Sequence, residues 1–262
     1  PPVAAIVLDW NGGEEALAAI DSLRASTYPH LRILLVDNAS RHPVLERARA
    51  RDPALTTIAN PVNLGYAGGN NVGLRAAFEA GAEYALVLNN DARVEPGAVA
   101  HLVGVARRDP RIAAVGAKIL RADRPDRLWM AWGELSWRQS LVRLVGQDRP
   151  DGAAFGSERE VEWVSGCALL LTRRATEEIG LFDEEFFAYH EEVDWCARAR
   201  ARGFRIVYDP GAVVLHRGEG SSGGRRYVSR KQYFAGRNTV LVVRRHATPL
   251  QQVRFGAAVR AS

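Results

Sequence analysis

Cysteine is scarce. The 262 residues hold two, Cys167 and Cys196, each inside an apolar or helical run. That number and placement speak against a disulfide-stapled secreted scaffold and favour a reducing compartment. Long hydrophobic runs are missing too: no stretch approaches the roughly 20 uninterrupted apolar residues that a spanning helix needs. No signal peptide is evident, since the chain opens with Pro1-Pro2 and a strand-like run, and the missing Met suggests trimming. A cytoplasmic location is the expectation, with room for peripheral attachment at the inner face of a membrane.

Acidic residues are nearly absent from one region. Between Arg217 and Arg260 there is only Glu219, against ten basic residues (Arg217, Arg225, Arg226, Arg230, Lys231, Arg237, Arg244, Arg245, Arg254 and Arg260). The rest of the chain is close to balanced. Such an end suits an anionic partner, whether a diphosphate, an acidic lipid headgroup or a nucleic acid. An Arg-rich solvated surface explains it equally well.

With 47% hydrophobic and 25% charged residues, the composition is that of a soluble globular protein with a sizeable core. Residues 3–8 (Val-Ala-Ala-Ile-Val-Leu) form a short continuous apolar run, as expected of a strand buried on both faces. Residues 31–36 and 84–88 repeat the pattern, and 112–119 and 168–171 are further candidates. Helical stretches lie between them at 14–24, 43–51, 69–80 and 96–107, the last two stopped by Gly81 and by Asp109-Pro110. Strand alternating with helix predicts an α/β fold with a mainly parallel sheet flanked by helices. Residues 121–160 break the rhythm with Trp129, Trp132, Trp137 and a Gly/Pro/Asp-rich stretch, and read as an excursion over the site.

In such a sheet, ligands bind beyond the carboxyl ends of the strands. The residues there are Asp9-Trp10-Asn11, Asp37-Asn38 and Asn89-Asn90-Asp91, which should converge on one rim. A carboxylate at that point can hold a divalent ion together with phosphate oxygens, although Asn-Asn-Asp can equally cap a strand and begin a turn. Downstream, His190-Glu191-Glu192-Val193-Asp194 opens a helix that Gly203 closes. Acids in a first turn complement the helix dipole and need no catalytic reason, yet adjacent glutamates beside aromatic residues can supply a general base. His216 follows a strand-like run and precedes the glycine-rich stretch 217–224, so it reads as a metal ligand or as a structural histidine. That stretch reads as a phosphate-covering loop or as a flexible linker. Around Gly65, Gly68, Gly69 and Gly73, a turn runs into a helix whose free N–H groups could face phosphate, without the ending of a P-loop.

Taken together, the segments closely resemble the inverting glycosyltransferase family 2, especially its bacterial rhamnosyltransferase-like members. The resemblance is carried by Val-Leu-Asp-Trp-Asn-Gly-Gly (7–13), Leu-Val-Asp-Asn-Ala-Ser (35–40), the glycine-rich 63–73 and Leu-Asn-Asn-Asp-Ala (88–92). It continues through Val-Ser-Gly-Cys-Ala-Leu-Leu-Leu (164–171), residues 180–196, Pro-Gly-Ala-Val-Val-Leu-His (210–216) and Arg237-Asn238. It implies a GT-A fold over residues 1–245, with 121–160 as a variable acceptor-side excursion and 246–262 as a basic tail. It also implies a nucleotide-sugar donor such as dTDP-rhamnose or a UDP-sugar, and a saccharide or lipid-linked saccharide acceptor. The implied metal is Mg²⁺ or Mn²⁺, held by Asp91, His216 and Asn89. Donor contacts fall to Asp9, Asn11, Asp37, Asn38, Gly65, Asn70, Asn90 and Arg237, and the catalytic acids to Glu192, Glu191 and Asp194, with Glu192 as base. Two positions depart from the family pattern: Asn89 stands where an acid is usual, and the base pair is Glu-Glu.

Other classes fit less well. A nucleotidyltransferase would want a basic glycine-rich loop after the first strand, where this chain has Asn11-Gly12-Gly13-Glu14. A nucleic-acid-binding module is suggested by the basic balance alone; no recognised motif supports it, so nucleic acid is not expected as a partner.

Overall fold

The computed structural model describes residues 1–137, 141–218 and 225–260; residues 219–224 of the glycine-rich stretch, including Glu219, lie outside them. The first half is built as the apolar runs predict, with one further strand, Thr56–Ala59, that no such run marks. Strands β1 (Val3–Asp9), β2 (Leu31–Asp37), β3 (Thr56–Ala59) and β4 (Tyr84–Asn89) lie parallel in the order β3-β2-β1-β4. Helices α1 (Glu14–Arg24), α2 (Leu45–Arg51) and α3 (Gly65–Glu79) connect them. The two-residue period of β1 divides its side chains between two layers. Ala4 and Ile6 pack with Leu74 and Ala77 of α3, and Val3, Ala5 and Val7 with Leu17 and Ile20 of α1. That double burial is why the run is apolar throughout rather than alternating.

The second half departs from a simple alternation. It comprises β5 (Ala92–Val94), α4 (Ala98–Ala106), β6 (Ile112–Arg121), β7 (Leu128–Met130), β8 (Trp132–Leu135), β9 (Val142–Val145) and β10 (Arg159–Glu160). Then follow β11 (Ala168–Thr172), α5 (Arg173–Ile179), α6 (Glu191–Ala201), β12 (Arg205–His216), α7 (Arg225–His246) and α8 (Pro249–Arg260). β11 enters antiparallel between β4 and β6, and β12 lies parallel to β6. The start of β11 therefore sits on the same rim as the ends of β1, β2, β4 and β12. In register, Asp9 faces Asp37, Leu8 faces Asn89, and Ala168 faces Leu88.

The 121–160 excursion is fastened to the sheet. β7 pairs with β6, the β8–β9 hairpin forms its own two-stranded sheet, and the Tyr208 hydroxyl donates to the Phe155 carbonyl. Lys118 Nζ of β6 meets both carboxylate oxygens of Asp151 at 2.9 Å. Both cysteines are buried and free. Helix α3 begins at Gly65, four residues earlier than the stretch 69–80 predicts. The end of the chain folds back as α8, with Phe255 joining Val242 and Val243 of α7 in the core. Among the described residues, no helix is long and apolar enough to cross a membrane.

Candidate active site

The rim gathers its first group where β4 ends. β5 starts directly after Asp91 and pairs antiparallel with the end of β12, which sets Ala92 opposite His216. His216 Nε2 consequently lies 3.1 Å from Asp91 Oδ1, with both side chains buried. Trp129 of β7 presses edge-on against the imidazole, ring centroids 4.5 Å apart. Burial opposes the imidazolium form, but the Cys167 sulfur and the Asp91 carboxylate outweigh it and carry the His216 pKa up to about 10. His216 Nδ1 and Asn89 Oδ1 are buried without a hydrogen-bond partner.

This corner fits Mg²⁺ or Mn²⁺. Carboxylate and imidazole stand close enough to share one ion, and Asn89, with its orphaned oxygen, lines the same cleft. Among the described residues, no three His, Cys, Asp or Glu side chains converge as a cage. Most ligands of an ion would therefore have to be phosphate oxygens and water, the usual arrangement for Mg²⁺ at a nucleotide.

The ends of β1 and β2 are tied together. Asp9 is fully buried; its Oδ1 accepts from Asn90 Nδ2 at 2.8 Å and from the Gly12 amide at 2.9 Å, while Oδ2 has no partner. Burial raises its pKa, and the Asp37 charge adds to that. A side chain at Gly12 would collide with Asn90 and Asp9, so the close turn after β1 requires glycine. Asp37 accepts from the Ser40 amide through Oδ2 and keeps a buried, unpartnered Oδ1. Asn11 bridges to the next loop, accepting from the Arg41 amide and donating its own amide to Ser40 Oγ, both at 2.8 Å. Asn38 is saturated: it donates to Asn63 Oδ1 and the Gly65 carbonyl, and accepts from Asn60 Nδ2 and the Leu64 amide. Asn70 Nδ2 donates to the Tyr66 carbonyl, leaving Oδ1 buried without a partner.

Opposite this corner, a left-handed loop delivers the acids. Phe187, Tyr189 and His190 all have positive φ (61°, 72° and 71°), a conformation that bulky side chains rarely adopt, and α6 begins immediately after them. Glu191 is buried and Glu192 half-buried, each with an unpartnered Oε2. Burial, then the Glu192 charge, pushes the Glu191 pKa well above its ordinary value. Burial raises Glu192 as well, against backbone amides that include that of Gly166. Desolvation thus overcomes the helix N-terminus, which alone would lower both. Asp194 goes elsewhere. It is held by Arg198 at 2.8 Å and by His246 Nε2 at 2.8 Å; burial would raise its pKa, but these partners lower it.

One cleft of about 690 Å³ joins these groups. Asn38, Gly65, Asn89, Asn90, Asp91, Glu191, Glu192 and His216 all line it. Asp9, Asn11, Asp37, Asn70 and Asp194 do not line it, although Asp9 braces it through Asn90. Arg237 does not line it either, its guanidinium reaching the Glu185 carbonyl instead. Trp10 of the rim, Trp129 of the excursion, Phe187 and Tyr189 beside the acids, and Arg230 and Lys231 of the basic region line the cleft too, together with residues that the sequence does not assign to the site: Tyr66, Ser165 and, from α7, Tyr233 and Phe234. The signal for the last group was the four-residue spacing of Arg230, Phe234 and Asn238 on one helix face.

Comparisons with known proteins agree with this geometry. The sequence profile of the glycosyltransferase-like family 2 matches residues 1–238. An N-acetylglucosaminyl-diphospho-decaprenol L-rhamnosyltransferase of Mycobacterium tuberculosis is 30% identical over 244 residues, covering 85% of this chain and 77% of that protein. An O-antigen biosynthesis protein of Myxococcus xanthus is 30% identical over 234 residues, covering 82% of this chain and 17% of that much longer one. In fold, the chain is similar to a mannosyltransferase of Pyrobaculum calidifontis solved with GDP-Man and Mn²⁺, with a TM-score of 0.63, 18% identity, and 100% and 74% of the two chains covered. The fold is GT-A, and the chain belongs to glycosyltransferase family 2.

Proposed function

We propose that this glycosyltransferase moves a sugar from a nucleoside-diphosphate donor, dTDP-rhamnose or a UDP-sugar, onto a hydroxyl of a saccharide or lipid-linked saccharide in cell-surface polysaccharide synthesis, with inversion at the anomeric carbon. The observation that carries this reading is the placement of the Asp91–His216 pair and the Glu191–Glu192 pair on one cleft. The relatives add the donor and acceptor classes: the Mycobacterium enzyme's name specifies a rhamnosyl donor and a diphosphate-lipid acceptor, and the Pyrobaculum structure holds a nucleotide sugar with Mn²⁺.

Asp91 and His216, with Asn89, would hold Mg²⁺ or Mn²⁺, which supplies positive charge against the departing diphosphate. Asp37, with its orphaned Oδ1, reads the nucleoside, and Asp9, Asn11, Asn38, Gly65, Asn70 and Asn90 shape the floor beneath the donor. Glu192, the more accessible of the coupled acids, takes the proton from the acceptor hydroxyl as that oxygen bonds to the anomeric carbon. The bond from that carbon to the diphosphate oxygen breaks on the opposite face, and the diphosphate leaves with the electron pair. Glu191, whose pKa burial and the Glu192 charge raise well above its ordinary value, stands beside the base as the second carboxyl of the pair. Asp194 holds α6 in place through Arg198 and His246.

Residues 1–245 form the catalytic unit in this reading, 246–262 are the tail, and the basic stretch from Arg217 to Arg260 meets an anionic membrane surface from the cytoplasmic side. Leu250 and Val253 of α8, 59% and 70% exposed, stand beside basic Arg254 on that segment. The stereochemical claim has its own test. The nucleotide sugar that most raises the Tm with Mn²⁺, from a panel of dTDP-, UDP- and GDP-sugars, is turned over and the first product followed by proton NMR. Inverted anomeric configuration is expected; retention contradicts a single displacement.

A further inference from the structure

The strained loop before α6 is held from outside by one side chain. Asn238 of α7 is fully buried, and its Nδ2 donates to the carbonyls of Phe186 at 2.8 Å, Ala188 at 2.8 Å and Tyr189 at 2.7 Å. An amide nitrogen carries two hydrogens, so one is shared between carbonyls. These acceptors lie in the turn whose non-glycine residues have positive φ, and such a turn persists only where its surroundings over-determine it. The next residue of α7 adds to the grip, with Thr239 Oγ1 at 3.1 Å from His190 Nε2. Phe234, one turn earlier, stacks on Phe187 with centroids 4.9 Å apart. On the far side, the Phe187 carbonyl accepts from the Ala67 amide of α3.

We propose that Asn238 is a positioning residue for the reaction: its three hydrogen bonds keep the 186–190 turn wound so that Glu191 and Glu192 enter the cleft. The inference rests on reading Glu192 as the base. Within the turn the Phe186 carbonyl also accepts from the Ala188 amide at 2.7 Å; the Asn238 amide adds the tie between the turn and α7, and a strained backbone that loses such a tie will rearrange. A rearranged turn admits water to the acid pair and moves the base away from the acceptor hydroxyl. Binding of the nucleotide at the opposite wall is left alone.

The test compares the full chain with Asn238→Asp, which has the same shape but no donor facing the carbonyls. Turnover is read as nucleoside diphosphate released from the best nucleotide sugar, and donor-site integrity as UDP affinity with Mn²⁺ by calorimetry. The expected result is a kcat roughly 10-fold or more lower, as for a displaced reacting group, with UDP affinity nearly unchanged. The acidic limb of the kcat–pH profile should also move to lower pH, because hydration relaxes the burial that raises the pair. Added to Glu192→Gln, the Asn238→Asp change should cost almost nothing further. Parallel losses of kcat and UDP affinity, an unmoved acidic limb, or full additivity with Glu192→Gln would overturn the proposal. Thr239→Val loosens the same turn through His190 and should shift the limb in the same direction. If it is the only variant that folds, an unmoved limb there also overturns the proposal. If Glu192→Gln alone keeps its turnover, it is the reading of the base that fails, whatever Asn238→Asp shows.

Discussion

His216 Nε2 and Asp91 Oδ1 lie 3.1 Å apart although 125 residues separate them, because β5 and the end of β12 pair directly beside both. Their contact sets a pH dependence. The imidazole must lose its proton before it can ligate an ion, and its pKa is carried up to about 10. The apparent Mn²⁺ affinity, measured as the gain in UDP binding on adding metal, should therefore rise with pH through the neutral and mildly alkaline range. His216→Asn should flatten that dependence, and Asp91→Asn should abolish the Mn²⁺ gain, with a loss of stability because it leaves the buried His216 imidazolium without its carboxylate. Calorimetry showing a full Mn²⁺ gain in Asp91→Asn contradicts the assignment.

Glu191 should leave a mark on stability. Its native pKa stands well above the ordinary 4.5, so the folded protein holds this proton more tightly than the unfolded chain. The stability it contributes is complete below the ordinary value and is lost as pH climbs through the native one. Glu191→Gln should make Tm fall less steeply from mildly acidic to mildly alkaline pH than it does in the parent. Identical slopes would mean that the carboxyl is not desolvated as described.

Asp194 shares a helix with the proposed base but should behave differently. Removing one partner of a buried ion pair costs about 3 kcal/mol, and Asp194→Asn leaves Arg198 and His246 without their carboxylate. Denaturant unfolding should show that loss, while kcat measured well below the new Tm stays near that of the parent. A large fall in kcat without destabilisation would return Asp194 to the chemistry.

The basic stretch from Arg217 to Arg260 should bind anionic vesicles. Each basic residue near such a surface contributes about 1 kcal/mol, so Arg244→Glu combined with Arg254→Glu should reduce co-sedimentation with phosphatidylglycerol vesicles clearly. Binding that ignores anionic lipid content contradicts the membrane reading.

Much of this site is legible in the sequence, for a physical reason. Strand ends in a parallel sheet share a rim, so Asp9, Asp37 and Asn89–Asp91 converge as soon as their apolar runs are recognised. The local pattern also places Glu191 and Glu192 in a helix's first turn. It does not show that the preceding turn is left-handed, because Phe187, Tyr189 and His190 carry no glycine to announce it. Nor does it show that β11 enters antiparallel and brings Gly166 to Glu192. Tyr233 and Phe234 are obscured by the charge of their own helix, which reads as a solvated basic stretch until α7 is laid across the cleft. Spacing can place residues on one face of α7, but which element that face meets is set by topology.

Glu192→Gln tests the central claim most directly. The substitution keeps the shape of the side chain and removes only its capacity to take a proton. Measured with the best nucleotide sugar and Mn²⁺, kcat should fall by roughly 100-fold or more, the usual worth of a positioned general base, while UDP affinity stays nearly intact and Glu191→Gln is milder. A Glu192→Gln enzyme that loses UDP binding in step with turnover, or that turns over at the parental rate, contradicts the account.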